Sequence, residues 1–253
     1  YEGRSSRGSP KVGDLRKRVV QECLQNLQRS VAQRGSRLLV RKQAPEEFLP
    51  TLATENTVVL VTGQACSEER AAETRVADAL RRSGATLQVL PAAGISDLVG
   101  PHELATVAVP SASQFPVNFH HFFQPLRPRL LEICDEGLSD APSRLPPPLL
   151  DDDEDEDMEE TATSEIQGGE TAAWQRMESW LDSGLHRYKH TFRRLQGDYS
   201  SKLSPHLAYG CISPRRLVKE VLLRSTRPSP HVDHFVYEMC WRDFFRHTAA
   251  RWG

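Results

Sequence analysis

The chain has 253 residues, 38% of them hydrophobic, and a net charge of −2, which is enough sequence for one large or two ordinary globular domains. It has no apolar segment of spanning length, so a membrane-spanning protein is excluded and a soluble, intracellular protein is expected. Five scattered cysteines without a C-x-x-C pair argue against a disulfide framework and a metal site, and they indicate a reducing compartment.

The first part of the chain alternates between helical and strand-like patterns. Apolar residues spaced four apart predict a helix from Asp14 that ends at Gly35. Further helices are predicted to open at Pro45, as a first-turn proline, and at Ser67, as an N-cap. Short apolar, mostly aliphatic runs predict strands at residues 38–40, 57–62 and 86–90. This order predicts an α/β layer with an open, mostly parallel sheet and crossover helices.

The middle of the chain has a weaker pattern. Residues 91–117 are predicted to form an irregular connection, and residues 119–133 an aromatic-rich helix. Residues 137–168 are rich in proline and then acidic, with nine acidic side chains within residues 151–160. Because like charges repel and nothing there can be buried, we predict a disordered insert, with a specific acidic binding motif as the open alternative.

The last part of the chain has no strand-like run and predicts an all-α domain. Residues 172–253 carry 14 Lys and Arg against seven Asp and Glu. This basic region is compatible with a polyanionic partner, and solvated basic helix faces are the alternative.

Residues 199–216, YSSKLSPHLAYGCISPRR, concentrate hydroxyl groups beside positive charge. Ser200, Ser201 and Ser204 surround Lys202 just before a predicted helix. Hydroxyls and backbone N–H groups in such a turn make an anion site of the size of a phosphate. The alternative is two capped helices, since Ser213 also caps a helix that opens with proline.

Residues 235–245 predict an aromatic-rich helix, which carries most of the segment EMCWRDFFRH at residues 238–247. Glu238, Trp241 and Arg242 are three and four positions apart and share one face. A carboxylate beside an indole can read and stack a nucleobase, and the guanidinium can hold a phosphate or a flavin edge. An aromatic core helix with a salt bridge is the alternative.

These two segments, in this order, resemble the flavin-domain signature of the photolyase/cryptochrome family. The chain is similar to the DASH branch in particular through GGETAAW at residues 168–174, the N-terminal segment from GSPKVG to PEEFLP, and CSEER at residues 66–70. The resemblance implies an α/β antenna-type domain at 1–110, a connector with a Pro-rich and acidic insert at 111–167, and an all-helical FAD-binding domain at 168–253. It also implies that both domains are incomplete here.

The resemblance implies a role for single residues. FAD would be held by Tyr188, Ser200, Ser201, Leu203, Ser204 and Arg242. Glu238 and Trp241 would contact the flipped pyrimidine dimer, and Glu69 would bind the pterin of an antenna folate, methenyltetrahydrofolate. Phe192 departs from the family, which usually has Arg there, and Arg193 is the candidate replacement.

The function implied for the full-length parent is that of a deoxyribodipyrimidine photo-lyase. Reduced FAD would donate an electron to a cyclobutane pyrimidine dimer, in single-stranded DNA by analogy with the DASH branch, so no protein acid or base is assigned as catalytic. A monomer without membrane contact is expected, in a plastid, mitochondrion, nucleus or the cytoplasm. The alternatives are a non-enzymatic blue-light photoreceptor and an inactive fragment that holds no flavin.

Overall fold

The computed structural model describes residues 8, 12–90, 97–100, 118–136, 138–148, 166–194, 197–225 and 227–252. The chain divides into two compact units. The first unit combines Tyr1–Arg41 with Ser139–Ile212, and the second unit combines Lys42–Leu138 with Ser213–Gly253. The domain bounds predicted at residues 110 and 168 stay a prediction.

Helices dominate the described residues, and the one sheet among them is small. The elements follow in chain order as α1 Asp14–Gln33, α2 Pro45–Leu52, β1 Val58–Thr62, α3 Ser67–Arg82, β2 Thr86–Leu90, α4 Phe119–Leu126, α5 Leu130–Glu136, α6 Glu170–Ser183, α7 Tyr188–Thr191, α8 Ser204–Ala208, α9 Pro214–Leu223 and α10 Pro230–Trp252. Short 3-10 turns lie at Arg127–Arg129 and Leu185–Arg187.

The sheet lies in the second unit and is parallel. β1 pairs with β2 so that Val58 lies opposite Thr86, and α3 connects the two strands. Apolar side chains of α2, α3 and the strands pack together; they are Leu49, Ala53, Val59, Val76, Leu80, Ala85 and Leu87. Parallel strands need a crossover of this kind, because a tight hairpin cannot return the chain to the same end of the sheet. The predicted parallel α/β architecture is confirmed.

The rest of the second unit is helical. α9 packs against α5 and α10, and α10 packs against α4. Leu217, Val218 and Val221 of α9 are fully buried and form the apolar face of that helix. The aromatic-rich helix is confirmed and, as α10, extends further in both directions than residues 235–245.

The first unit is built on α1 and α6. The two helices contact each other, and the side chains that α6 buries are Ala173, Met177, Trp180 and Leu181. α7 and α8 follow, and the serines predicted to hold an anion precede or begin α8. Every described residue after 168 is helix, turn or irregular backbone, in agreement with the predicted all-α region.

Three local predictions are wrong. Residues 38–40 form no strand, because within the described residues only β1 and β2 exchange ladder hydrogen bonds. Cys66, not Ser67, is the N-cap of α3: Cys66 has the extended backbone, and its carbonyl accepts from Arg70 N at 3.1 Å. The predicted helix at 119–133 is interrupted by a 3-10 turn, since Pro128 supplies no N–H.

Some predictions lie outside the described residues. These are the acidic run at 151–160 and most of the connection at 91–117. Residues 138–148, at the start of the Pro-rich segment, are irregular, and Leu145 N donates to Arg34 O at 2.8 Å. Among the helices described, none combines the length and apolar character needed to cross a membrane.

Candidate functional site

Side chains of α1 cap the first turn of α6. Three backbone N–H groups at the start of α6 donate to them: Gly168 to Glu22 Oε2 at 2.5 Å, Gly169 to Cys23 Sγ at 3.2 Å, and Glu170 to Asn26 Oδ1 at 3.0 Å. These groups have no partner within their own helix, so α1 satisfies them. The first unit therefore holds α6 in a fixed position against α1.

The two glycines before α6 are needed for this close approach. A Cβ on Gly168 would lie 2.3 Å from the carbonyl oxygen of Val19, which is backbone and cannot turn away. Gly169 has φ +99°, and a Cβ there would lie 2.6 Å from Asn26 Cβ. The close approach to α1 therefore explains why both positions before Glu170 in the GGE sequence are glycine.

Arg176 of α6 holds residues 198–204, here the serine loop, by its backbone. Its guanidinium donates to the carbonyl oxygens of Ser200 at 2.7 Å and Ser201 at 2.8 Å. It also forms a two-point ion pair with Asp198, at 2.7 and 2.8 Å. The hydrogen bond from Arg176 is the largest reason why the pKa of Asp198 falls to about 2. One planar side chain therefore fixes this end of the loop.

Lys202 turns the serine loop in a left-handed conformation. Its φ is +53°, the one positive value among the described non-glycine residues, and its Nζ lies 3.0 Å from Asp198 Oδ1. Leu203, which follows, is only 1% exposed and anchors the loop in the unit. The turn leaves Ser200 and Ser201 half-buried and Ser204 exposed.

A cavity of about 420 Å³ lies beside the serine loop. Its polar lining includes Gln167, Gln175, Arg176, Asp198, Lys202 and His206. His206 is buried, and within the described part of the chain its Nδ1 has no hydrogen-bond partner. Two cationic side chains against one carboxylate suit an anionic ligand.

Tyr188 connects to the serine loop through Trp180. The two rings meet edge to face with centroids 5.5 Å apart, and Trp180 Nε1 donates to Tyr199 O at 3.3 Å. Phe192 packs on Tyr188, and the Arg193 guanidinium lies over the Phe192 ring at 5.0 Å. Arg193 itself is exposed, so its predicted role as the replacement for the family arginine stays a prediction.

Glu238, Trp241 and Arg242 lie together on α10, in the second unit. Trp241 stacks on Phe119, with centroids 3.9 Å apart and planes at 11°, and on Phe245 at 5.3 Å and 28°. Two aromatic rings therefore stack on the indole. Glu238 Oε1 lies 3.6 Å from His234 Nε2.

Arg242 is joined to a buried carboxylate. Its Nη1 lies 3.3 Å from Asp243 Oδ1, and burial lowers the pKa of Arg242. Asp243 is completely buried, and burial raises its pKa to about 7. The salt bridge that the sequence offered as an alternative for this helix is present, alongside the face that carries Glu238 and Trp241.

An aromatic groove of about 420 Å³ opens beside Trp241. It is lined by Phe119, Phe123, Tyr237 and Trp241, with Asn118, His120, His121 and Gln124. Aromatic faces and edges with a few amide and imidazole groups can hold a planar ring. The groove lies wholly within the second unit.

Glu69 lies in the first turn of α3 and is exposed. A cavity of about 500 Å³ lies along the same helix, lined by Ser67, Arg70, Glu73, Thr74, Leu87 and Val89 among others, and Glu69 is not part of that lining. Among the residues that the structure describes, no polar partner orients Glu69.

The structure groups the predicted residues in three places. The first unit contains Tyr188, Ser200, Ser201, Leu203 and Ser204. One helix of the second unit, α10, carries Glu238, Trp241 and Arg242, and a different helix of that unit, α3, carries Glu69. Their predicted roles stay predictions. Within the described ranges, no cluster of acidic, His or Cys side chains could hold a metal ion.

Sequence reasoning missed Arg176 and Asp243. Arg176 lies 22 positions before its partner Asp198, so no local spacing links the two. Asp243 carried a signal, since a carboxylate within an aromatic run must be paired or protonated when the helix is buried.

Comparison with known proteins identifies the relatives of this chain. The family model "DNA photolyase" matches residues 2–127. The cryptochrome DASH of Gloeobacter violaceus is 32% identical over 272 residues, which cover 99% of this chain and 52% of that protein. The chloroplastic/mitochondrial cryptochrome DASH of Arabidopsis thaliana is 32% identical, over 96% of this chain and 44% of its own length.

A solved structure shows the same similarity at the level of the fold. The crystal structure of a Synechocystis cryptochrome superposes with a TM-score of 0.80 at 27% identity, covering 100% of this chain and 54% of that one. The chain thus spans about half the length of the curated relatives it matches.

Proposed function

The chain belongs to the photolyase/cryptochrome family, and we propose that the whole protein uses light to repair cyclobutane pyrimidine dimers in DNA, single-stranded DNA above all. The proposal rests on the hydrogen bonds that Arg176 donates to the carbonyl oxygens of Ser200 and Ser201. It fixes the loop whose hydroxyl groups match the FAD-phosphate segment of the family. The family binds FAD, and FAD in this protein is part of the proposal.

The residues of the serine loop fit a dinucleotide. Hydroxyls at Ser200, Ser201 and Ser204 can donate to phosphate oxygens, and Lys202 adds a positive charge close by. The buried Nδ1 of His206, which lacks a partner within the described ranges, offers a further polar contact in the adjoining cavity. When bound and reduced, FAD supplies the electron that opens the dimer.

The residues of α10 fit a lesion extracted from the DNA stack. Trp241 offers an aromatic surface and Glu238 a carboxylate one turn away, beside an aromatic groove. A dimer pairs poorly, so taking it out of the stack costs less than taking out a normal base, and least in single-stranded DNA. No side chain is required to move a proton in this scheme.

The experiment uses the whole protein, expressed with its complete coding sequence. It is reduced, mixed with a single-stranded oligonucleotide that contains one thymine dimer, and exposed to blue light. We expect flavin absorption in the purified protein and light-dependent loss of the dimer, with a dark sample as the control. Bound flavin without repair would refute the proposed repair activity, and a protein without flavin would refute the proposed FAD site itself.

A second function, a blue-light photoreceptor without repair, is favoured by one observation. Phe119 and Phe245 both stack on Trp241, so a dimer that stacks on the indole must compete with these two rings. In that case flavin would bind and dimer-containing DNA would bind no better than undamaged DNA.

We also propose a folate antenna at α3, with Glu69 as the acidic group that binds the pterin. Glu69 lies in the first turn of α3, the helix that also lines a cavity of about 500 Å³. The test is the folate content of the whole protein and of its Glu69→Gln variant, with Glu68→Gln, the exposed neighbour, as the control. Equal folate content in all three would remove Glu69 from the site.

A further inference from the structure

Two cysteines that are far apart in sequence meet in the first unit. Sγ of Cys23, on α1, lies 3.4 Å from Sγ of Cys211, which follows α8. Both thiols are half-buried and free. A disulfide bond is about 2.0 Å long, so the two sulfur atoms need to approach by only about 1.4 Å. We propose that Cys23 and Cys211 are a reversible dithiol modification site, which a peroxide converts to a disulfide.

The surroundings hold both sulfur atoms in place. Gly169 N donates to Cys23 Sγ at 3.2 Å, in the same cap that joins α1 to α6. Cys211 N donates to the carbonyl oxygen of His206 at 2.8 Å and so closes the C-terminal end of α8. Because each cysteine is fixed by its backbone or its cap, the two thiols face each other without a change in the fold.

The two thiols differ in reactivity. The hydrogen bond from Cys23, and next the neighbouring side chain of His206, lower the pKa of Cys211. The pKa of Cys23 is raised, by its hydrogen bond to Cys211 and then by burial, and the nearby carboxylate of Glu22 acts in the same direction. Cys211 is therefore the thiolate that attacks first, and Cys23 is the resolving thiol.

The reaction balances with hydrogen peroxide as the oxidant. The Cys211 thiolate attacks one peroxide oxygen, the O–O bond breaks, and a sulfenic acid and hydroxide form. The sulfur of Cys23 then displaces hydroxide from Cys211, the S–S bond forms, and the proton of the Cys23 thiol leaves with a hydroxide as water. Two thiols and one peroxide give one disulfide and two waters, and a small-molecule thiol reverses the change.

The other cysteines provide internal controls. Cys66 is exposed, and among the described residues no second thiol forms a hydrogen bond with it. Cys134 and Cys240 are buried, and burial raises the pKa of both thiols, which protects them from oxidation. The site is thus distinguished by its pairing rather than by exposure.

The disulfide would couple α1 to the serine loop. Cys211 ends the turn after α8, the helix that begins at Ser204, so the bond would tie that helix to the one that caps α6. Closing a loop of this length restricts the unfolded chain strongly, and we expect the melting temperature to rise by about 5 °C or more on oxidation. This inference does not depend on flavin or DNA.

The test treats the chain with a few equivalents of hydrogen peroxide and measures intact mass and a non-reducing tryptic digest. We expect a loss of two hydrogen atoms, a linked peptide pair that contains Cys23 and Cys211, a higher melting temperature, and full reversal by dithiothreitol. Cys66→Ser should behave as the wild type, whereas Cys23→Ser should lose the link and retain sulfenic acid on Cys211.

Other outcomes would overturn the proposal. One is a mass gain of oxygen atoms on wild-type protein without the linked pair. Another is a disulfide bond between two chains through Cys66 instead of the bond between Cys23 and Cys211. Since both readings use the wild-type chain, they hold even where Cys23→Ser folds poorly.

Discussion

The carboxylate of Asp243 and the backbone of Val99 are joined by a buried hydrogen bond. Asp243 Oδ2 accepts from Val99 N at 2.7 Å, across 144 positions of sequence. The same short segment is held by three further contacts of α9 and α10: Arg215 with Leu98 O, Arg246 with Asp97, and His247 with Val99 O. Residues 97–100 are therefore fixed to the helical part of the second unit by polar side chains.

The burial of Asp243 predicts a pH-dependent stability. Burial raises the pKa of Asp243 from 3.8 to about 7, so the folded state favours the protonated carboxyl. The contribution of this group is fully present below about pH 4, declines as the pH rises, and is lost above about pH 7. The decline totals on the order of 4 kcal/mol in the free energy of unfolding.

The Asp243→Asn variant tests this prediction. Asparagine keeps the shape and an acceptor oxygen but does not ionise, so the decline between pH 4 and pH 7 should disappear from urea-unfolding curves. Asp140→Asn, at an exposed position, should leave the wild-type profile unchanged. A variant at position 243 with the same pH profile as the wild type would contradict the assignment.

Replacing Arg176 should loosen the serine loop. Arg176→Met removes the donors to Ser200 and Ser201, which we expect to lower the free energy of unfolding by about 2 kcal/mol. FAD affinity of the whole protein should fall at least about tenfold, with Arg176→Lys intermediate because an ammonium group lacks the planar fork. Flavin fluorescence titration measures the affinity. Arg144→Met, at an exposed position, is the control, and unchanged affinity in Arg176→Met would separate the loop from flavin binding.

Adding one methyl group at Gly168 should destabilise the first unit. The new Cβ would lie 2.3 Å from Val19 O, so α6 or α1 must shift, and overpacking of this kind costs roughly 1–3 kcal/mol. Chemical unfolding of Gly168→Ala against Gly13→Ala measures the effect, because nothing lies within 4 Å of a Cβ at Gly13. Equal stability of the two variants would show that the close approach is not required.

The sequence predicted most elements because their signals are local. α1 follows from apolar residues four apart, β1 and β2 from short apolar runs, and α9 from Ser213 and Pro214, where the serine hydroxyl accepts from Arg216 N at 3.5 Å. Residues 38–40 were predicted as a strand because an apolar run does not reveal whether a neighbouring strand pairs with it.

The site was less predictable because long-range contacts build it. The motif residues Ser200, Trp241 and their neighbours stand out in the sequence, but the side chains that position them do not. Arg176 reaches the serine loop across more than 20 positions, and Cys23 meets Cys211 across 188. Such pairs are set by how helices pack, which no short window of sequence contains.

Replacing Trp241 and replacing Phe245 should have opposite effects on the affinity for dimer-containing DNA. A dimer that stacks on the indole competes with Phe119 and Phe245, and Phe245, 61% exposed, moves at the lower cost. Trp241→Ala should therefore lower the affinity for dimer-containing single-stranded DNA roughly tenfold to hundredfold, since base–aromatic stacking is worth about 1–3 kcal/mol. Phe245→Ala should raise that affinity, because one of the two rings that stack on the indole is then removed.

Fluorescence anisotropy with the whole protein and an oligonucleotide carrying one thymine dimer measures both changes, and flavin content controls for damage to the FAD site. If Trp241→Ala loses affinity and Phe245→Ala gains it, the dimer stacks on the indole and Phe245 competes with it for that surface. If both variants bind the dimer as the wild type does, Trp241 belongs to an aromatic core, and the photoreceptor becomes the better account of this chain.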